Sequence, residues 1–205
     1  MNKKNIFIIA IVALLATIFY YSFKGNSSNE DYIATITKER KAKDEMMRSG
    51  EDSPFGDEKK NFKGLSYFPP DINYRISAKL IPIENKRMVV LPTSDGKDKK
   101  YLEYAFAEFE LNNTLSKLLI LEIPDGEYRG TLFLAFADET SANETYGAGR
   151  YLELKKVPGA TSITLDFNEV YNPYCAYADN FSCPFPPKEN VLKTAVRAGE
   201  KKYHE

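Results

Sequence analysis

Histidine is almost missing from this 205-residue chain. The single histidine, His204, stands next to the C-terminal residue, where chains usually fray. Catalysis by a serine–histidine or cysteine–histidine pair therefore has no base within the fold, and a site of several histidines is impossible in one chain. The sequence also lacks a complete glycine-rich phosphate loop and a nucleophile elbow. We expect neither a metal nor a cofactor.

Excess charge and tryptophan are missing too. There are 28 lysines and arginines against 29 aspartates and glutamates, for a net charge of −1, which gives no electrostatic reason to bind nucleic acid. Tryptophan is absent, but tyrosine occurs 14 times and phenylalanine 13 times. This aromatic content argues against a disordered tail and favours strands over helices.

One long apolar run is present, near the N-terminus. Residues 1–4 are basic and residues 5–23 carry no charge, close to the roughly 20 residues that span about 30 Å of hydrocarbon. No clean small-x-small cleavage site follows, so we predict a transmembrane anchor at 5–23 with residues 1–4 in the cytoplasm. Cleavage as a signal peptide stays open. The remaining chain is expected outside the cell membrane, in the periplasm if the cell has an outer membrane.

After a linker at residues 24–29, residues 30–205 are long enough for one domain with a core of its own. Residues 30–49 place apolar and long side chains at three- and four-residue steps, which predicts an amphipathic helix. The period then changes to two, which predicts about eight short strands, the last at 191–198. The expected fold is mainly β, a single antiparallel barrel or sandwich with the N-terminal helix packed outside or across an open end.

The last sixty residues concentrate glycine, proline, asparagine and both cysteines. Several phrases, most of them in this stretch, resemble an uncharacterised bacterial and archaeal family, domain of unknown function 1684; they lie at 62–69, 74–75, 144–151, 166–168, 171–177, 183–187, 189–190 and 198–201. The similarity runs roughly from Ile36 to the C-terminus. It implies a prokaryotic protein and brings no assigned activity and no established catalytic residues. This chain resembles a short form of the family, with an anchor that many similar proteins lack.

Cys175 and Cys183 are eight positions apart, a spacing that permits a local disulfide if the domain is exported. The family resemblance implies that similar cytosolic proteins keep the same cysteines, which argues against a bridge. Buried free thiols and a reactive or metal-binding pair are the alternatives. Two cysteines alone do not make a zinc site.

Arg150 is the leading candidate for contact with a ligand. Gly147 and Gly149 precede it and allow a bulge or a close approach that directs its side chain inward. There it either joins a buried network or stays open for a carboxylate or phosphate. The carboxylates that could pair with it are Asp138, Glu144 and Asp166.

Two classes of function remain open. The first is a membrane-held module that binds a small anionic ligand or an envelope protein, with a surface formed by Arg150, Tyr146, Glu144, Asp138, Tyr174 and Asn172. The second is an enzyme, either hydrolase-type, using Glu144, Asp138 and Arg150, or thiol-dependent, using Cys175 and Cys183. The absence of a usable histidine favours the first class. A pocket joining the carboxylates, Arg150 and Tyr174 would favour the enzyme, and mutual pairing of these side chains would oppose it.

Overall fold

A computed structural model describes residues 28–203 of the chain. The predicted anchor at 5–23, the start at 1–4 and His204 lie outside the described residues. Within 28–203 there is no helix with the length and apolar character needed to span a bilayer. Ser28 and Asn29, which we expected in the linker, are already helical.

The predicted amphipathic helix is confirmed as α1, which covers residues 28–49. Its buried stripe is centred on Ile36 and Met47. The rest of the predicted stripe is half-buried: Tyr32, Ile33, Arg40 and Lys43. Gly50 follows the last helical residue. A Cβ there would lie 2.6 Å from the Met46 carbonyl oxygen, so the close approach at this helix end requires glycine.

Seven strands follow and form one antiparallel sheet that curls into a half-barrel. They are β1 Arg75–Pro82, β2 Met88–Pro92, β3 Asp98–Leu111, β4 Thr114–Glu122, β5 Leu132–Phe136, β6 Arg150–Leu154 and β7 Ser162–Asp166. The hydrogen-bonded order is β6-β5-β4-β3-β1-β7, and β2 pairs with the start of β3. Short 3-10 turns lie at Gly56–Asn61, Ile72–Tyr74, Phe167–Glu169, Tyr174–Ala176 and Lys188–Asn190.

The mainly β, antiparallel fold is confirmed, but in place of the expected barrel or sandwich of about eight strands the seven strands form a half-barrel. In the part of the chain that the structure describes, β6 and β7 end the strand order without pairing to each other. The predicted eighth strand at 191–198 is also wrong, since only Val191 makes a single bridge, to Ala137. The carbonyls of Val196 and Ala198 instead accept hydrogen bonds from the side chain of Arg150. A buried side chain thus satisfies backbone groups that a strand partner would otherwise satisfy.

Each face of the sheet carries a cluster of buried apolar side chains. The face that we call the main core holds Leu118, Ile120, Leu134, Phe136, Leu152, Phe167 and Val196, among others. The opposite face carries a smaller second core, with Leu91, Tyr101, Leu119 and Leu121. Successive residues of β4 point alternately into the two cores, as the period of a strand requires.

Candidate functional site

Arg150 begins β6 and extends into the main core, where only 1% of its surface is exposed. Its Nη2 donates to Asp138 Oδ2 at 2.9 Å and to the Val196 carbonyl at 2.8 Å. Its Nη1 donates to the carbonyls of Ala198 at 2.6 Å and Glu200 at 3.1 Å. Burial lowers the pKa of Arg150 and the Asp138 charge opposes that shift, so the guanidinium stays protonated. Through these hydrogen bonds Arg150 holds the C-terminal segment, residues 196–200, against the sheet.

Both carboxylate oxygens of Asp138 also accept hydrogen bonds within the protein. Its Oδ1 accepts from the Thr140 backbone N–H at 2.8 Å, from the Thr140 hydroxyl at 2.6 Å and from the Val196 N–H at 3.2 Å. Both oxygens of this buried carboxylate therefore have partners, which is the arrangement that keeps a buried ion pair stable. The geometry matches the buried network that the sequence offered as one alternative for Arg150.

The glycine beside Arg150 has the predicted role in placing it. Gly149 has a φ of +89°, and a Cβ at this position would lie 2.5 Å from Pro186 Cγ and 2.7 Å from the Phe136 carbonyl oxygen. Only glycine fits so close to the neighbouring strand and to the proline-rich segment. Gly147 has an ordinary φ, and its added Cβ would lie 3.4 Å from the side chain of Ala142.

The other predicted site residues are not gathered around Arg150. Glu144 forms a 2.9 Å ion pair with Arg197 nearer the surface. The hydroxyl of Tyr146 donates to the Cys175 carbonyl at 3.4 Å. The structure thus brings Asp138 to Arg150, while Glu144 and Tyr146 contact other partners.

Asn172 belongs to a second buried cluster, centred on Glu200, which the sequence did not reveal as a site. Glu200 Oε1 accepts from Asn172 Nδ2 at 2.8 Å and from the hydroxyl of Tyr177. Glu200 Oε2 accepts from Lys43 Nζ of α1 at 3.0 Å. Burial, with the nearby Glu200 charge, raises the pKa of Tyr177 well above its usual value, which keeps that hydroxyl a donor.

A sequence signal for this cluster existed in the phrase Ala198-Gly199-Glu200. Gly199 has a φ of +74°, and a Cβ there would lie 2.5 Å from the Val170 carbonyl oxygen. The phrase therefore marks a tight approach of the chain. It carries no information about Lys43, which lies 157 positions away from its partner Glu200.

Cys175 and Cys183 are joined by a disulfide, with their Cα atoms 6.3 Å apart. The loop that it closes is fastened to the turn between β2 and β3. Ser94 Oγ donates to the Phe181 carbonyl at 3.0 Å and accepts from the Cys183 N–H at 3.1 Å. The bridge and these contacts fix residues 175–183 against the sheet.

This loop forms one wall of an open groove of about 790 Å³ on the second-core face. Four rings run along its floor in a continuous chain: Tyr101, Phe133, Tyr151 and Tyr171, with successive centroids 5.1, 4.9 and 6.0 Å apart. Tyr174 and Phe181 line the loop side, their ring centroids 5.1 Å apart. Tyr128, 65% exposed, also lines it. We call this surface the aromatic groove.

The polar groups of the aromatic groove are few and balanced. Two cationic and two acidic side chains lie in its lining: Lys43, Lys99, Glu153 and Glu169. The Tyr151 hydroxyl donates to the Pro184 carbonyl at 2.6 Å, and the Tyr171 hydroxyl donates to Glu153 at 3.2 Å. Burial raises the pKa of Tyr101 to about 12. The floor therefore presents neutral rings over a wide pH range.

Within residues 28–203, no group of three or more histidine, cysteine or acidic side chains is arranged to hold a metal ion. Of the residues predicted for ligand contact, Tyr174 is the one that lines the aromatic groove, and Cys183 of the disulfide lies beside it. Three of the floor rings, Tyr101, Phe133 and Tyr151, have the sequence context of ordinary core residues, whereas Tyr171 stands in the phrase 171–177. For that reason sequence reasoning missed the groove.

Residues 60–201 match the sequence profile described as "Protein of unknown function (DUF1684)". The chain belongs to this family. A solved structure of similar sequence is that of an uncharacterized protein of Haloarcula marismortui, determined by solution NMR. It is 39% identical to this DUF1684 chain and superposes with a TM-score of 0.65, covering 86% of this chain and 97% of its own. No curated protein matches the chain.

Proposed function

We propose that this domain is a binding module that holds the apolar body of a small amphipathic molecule in the aromatic groove. The observation that carries the proposal is the chain of four rings on the groove floor, beside a fixed loop. Tyr101 and Tyr151 are buried, while Phe133 and Tyr171 are half-buried and face the open groove. Small-molecule sites typically measure about 300–1,000 Å³ and are mostly apolar with a few polar groups. The aromatic groove matches that description in size and in lining.

Arg150 is a weaker place for the expected small anionic ligand. Its two terminal nitrogens already donate to Asp138 and to three backbone carbonyls. An anion would have to displace these partners and enter the main core, which costs the burial of another charge. Binding at the groove breaks no such pair. An envelope protein is the alternative occupant of the groove.

The location is part of the proposal. An anchor at residues 5–23 would hold the domain at the outer face of the cell membrane, with residues 1–4 in the cytoplasm. Two features support this location. One is the uncharged apolar run at residues 5–23; the other is the disulfide, because disulfides persist mainly in oxidising compartments. The net charge of −1 continues to argue against nucleic acid as a partner.

The geometry lends less support to an enzyme. A hydrolase-type reaction would need a free carboxylate in a pocket, but Asp138 is paired with Arg150 and Glu144 with Arg197. A thiol-dependent reaction would need a thiolate, and both sulfurs are in the disulfide. The groove lining retains two carboxylates, Glu153 and Glu169. Glu153 accepts from Tyr171, and burial raises the pKa of Glu169, but among residues 28–203 no nucleophile or second catalytic group is paired with either.

The test is a titration of a protein trimmed to residues 28–205 with the fluorescent probe 1-anilinonaphthalene-8-sulfonate and with octyl glucoside, mapped by amide chemical shifts. We expect saturable binding whose shifts cluster around Tyr171 and Phe181. Alanine at either position should weaken binding at least about fivefold, since a central aromatic contact contributes about 1 kcal/mol or more. Leu115→Ala, an exposed apolar site on β4, is the control. Absence of saturable binding, or shifts centred elsewhere, would refute the proposal.

A further inference from the structure

The carboxylate of Glu200 links an amine to a side-chain amide. Its Oε2 lies 3.0 Å from Lys43 Nζ, and its Oε1 lies 2.8 Å from Asn172 Nδ2. Glu200 and Asn172 are completely buried, and the Lys43 side chain is 24% exposed. One site thus holds a nucleophile, the Lys43 amine, and an acyl group, the Asn172 amide. The Glu200 carboxylate, which can carry protons, contacts both.

We propose that this cluster is a modification site, at which Lys43 and Asn172 join in an intramolecular isopeptide bond with Glu200 as the proton carrier. Glu200 Oε2 takes a proton from the Lys43 ammonium, and the neutral Nζ attacks Asn172 Cγ. The C–Nδ2 bond breaks, and Nδ2 leaves with the protons released by Nζ. The products are a secondary amide and one ammonium ion, so no oxidant, reductant or other co-reactant is needed.

The surroundings favour this reaction over hydrolysis. Burial excludes water from Asn172. Because the fold already holds the amine and the amide at one site, the reaction avoids the entropy cost of bringing two separate molecules together. Lys43 Nζ lies 4.6 Å from the centre of the Tyr171 ring, so the amine has an aromatic neighbour on one side and the carboxylate on another. A carboxylate that contacts both nitrogens is placed to act as base and then as acid.

The hydrogen bonding of the Asn172 side-chain amide is a second, independent observation that supports the proposal. Asn172 Nδ2 has two acceptors, Glu200 and the Lys201 carbonyl at 2.8 Å. Asn172 Oδ1 is buried without a hydrogen-bond partner. A buried carbonyl oxygen left unpaired is unusual in a stable native network. The carbonyl oxygen therefore makes no hydrogen bond that conversion to a secondary amide would disturb.

The product would tie α1 covalently to the segment before the disulfide loop. Lys43 lies on α1, whereas the family profile begins at residue 60. The bond would therefore fix a helix outside the profile to residues of the family's signature phrases. This inference does not depend on the groove being a ligand site.

The test is the intact mass of the full-length chain, purified in detergent, fully reduced and denatured. We expect a mass lower than the sequence mass by one ammonia, and a proteolytic digest with a branched peptide joining residues 43 and 172. Lys43→Arg keeps the positive charge but should show the full sequence mass, and Glu200→Gln should convert at least about tenfold more slowly, in the range typical of losing a proton-transfer group. Lys41→Arg, on the exposed side of α1, should convert normally.

The wild-type measurement decides the matter even if a variant misfolds. A wild-type chain that keeps its full sequence mass after long incubation in the folded state would overturn the proposal. So would a loss of ammonia whose digest contains no branched peptide, because that loss reports succinimide formation at another asparagine. In either case the cluster would serve only as a hydrogen-bonded contact between α1 and the sheet.

Discussion

The side chain of Asn190 takes the place of a strand partner for Leu119. Its Oδ1 accepts from the Leu119 N–H at 2.6 Å, and its Nδ2 donates to the Leu119 carbonyl at 2.9 Å. The same Nδ2 donates to the Ala135 carbonyl at 2.8 Å. β4 and β5 pair at only two positions, Leu121 with Phe133 and Glu122 with Leu132. Asn190 therefore bridges the two strands where they diverge.

Replacing Asn190 by alanine should be among the most damaging single changes in the domain. Three backbone groups would be left buried without partners, at about 1–3 kcal/mol each. We expect the free energy of unfolding to fall by roughly 3–5 kcal/mol. Urea denaturation followed by circular dichroism measures this. Asn143→Ala, at an exposed position, should change it by less than about 0.5 kcal/mol.

The strands were predictable because each carries its own signal. Alternating side chains and turn residues predict β1 to β7, and the turn at Asn112 and Asn113 has the positive φ values that a tight hairpin needs. The segment 191–198 carries a strand-like pattern as well. It does not form a strand. The carbonyls of Val196 and Ala198 instead accept from Arg150, a contact that no local pattern encodes.

The candidate site was less predictable than the fold. Gly149 beside Arg150 indicates a close approach of the chain. This part was predictable because the requirement for glycine lies in the residue itself and does not depend on distant contacts. The aromatic groove assembles rings from β3, β5, β6 and the chain after β7. A buried ring and a groove ring have the same sequence signature, so only the path of the chain distinguishes them.

Alanine at Gly149 should disturb the placement of Arg150. The new Cβ would overlap Pro186 and the Phe136 carbonyl at a positive φ, which costs roughly 2–5 kcal/mol through strain and overpacking. Thermal and urea unfolding of the variant should both show the loss. The matched variant Gly147→Ala, where the nearest atom is 3.4 Å away, should stay within about 1 kcal/mol of wild type. Equal effects at the two glycines would contradict this account.

Glu103 should make the stability of the domain depend on pH in the acid range. Its buried carboxylate accepts from Arg87 through Nη2 at 2.7 Å and Nε at 3.2 Å, and these hydrogen bonds lower the pKa of Glu103. A lowered native pKa gives stability that is complete above the unfolded pKa of about 4.3. That stability is lost as the pH falls through the native pKa.

The corresponding measurement compares unfolding of wild type and Glu103→Gln from about pH 7 down to about pH 3. Wild type should be the more stable at neutral pH, and its advantage should shrink as the solution becomes acidic. Glu110→Gln, an exposed change on the same strand, should keep a constant offset from wild type. An advantage of wild type that grew on acidification would show that the Arg87 contact does not govern this pH response.

Reduction of the disulfide should weaken both the fold and the aromatic groove. A bridge closing a loop of this length contributes about 2.5 kcal/mol on the chain-entropy model. We expect the free energy of unfolding to fall by about that amount on adding reductant, or in a double Cys175→Ser, Cys183→Ser variant. Wild type without reductant is the reference, and the double variant should not respond further to reductant.

The groove should respond to reduction because the bridged loop carries Phe181 and lies next to Tyr174. After reduction, the loop keeps its Ser94 contacts to Phe181 and Cys183 but loses its covalent closure. Probe affinity should therefore fall severalfold while the sheet remains folded, since ordering a loop costs free energy that binding must supply. Titrating the same fluorescent probe against oxidised and reduced protein tests this. Equal affinities would mean that the floor rings alone hold the probe, and that the loop wall contributes nothing to the site.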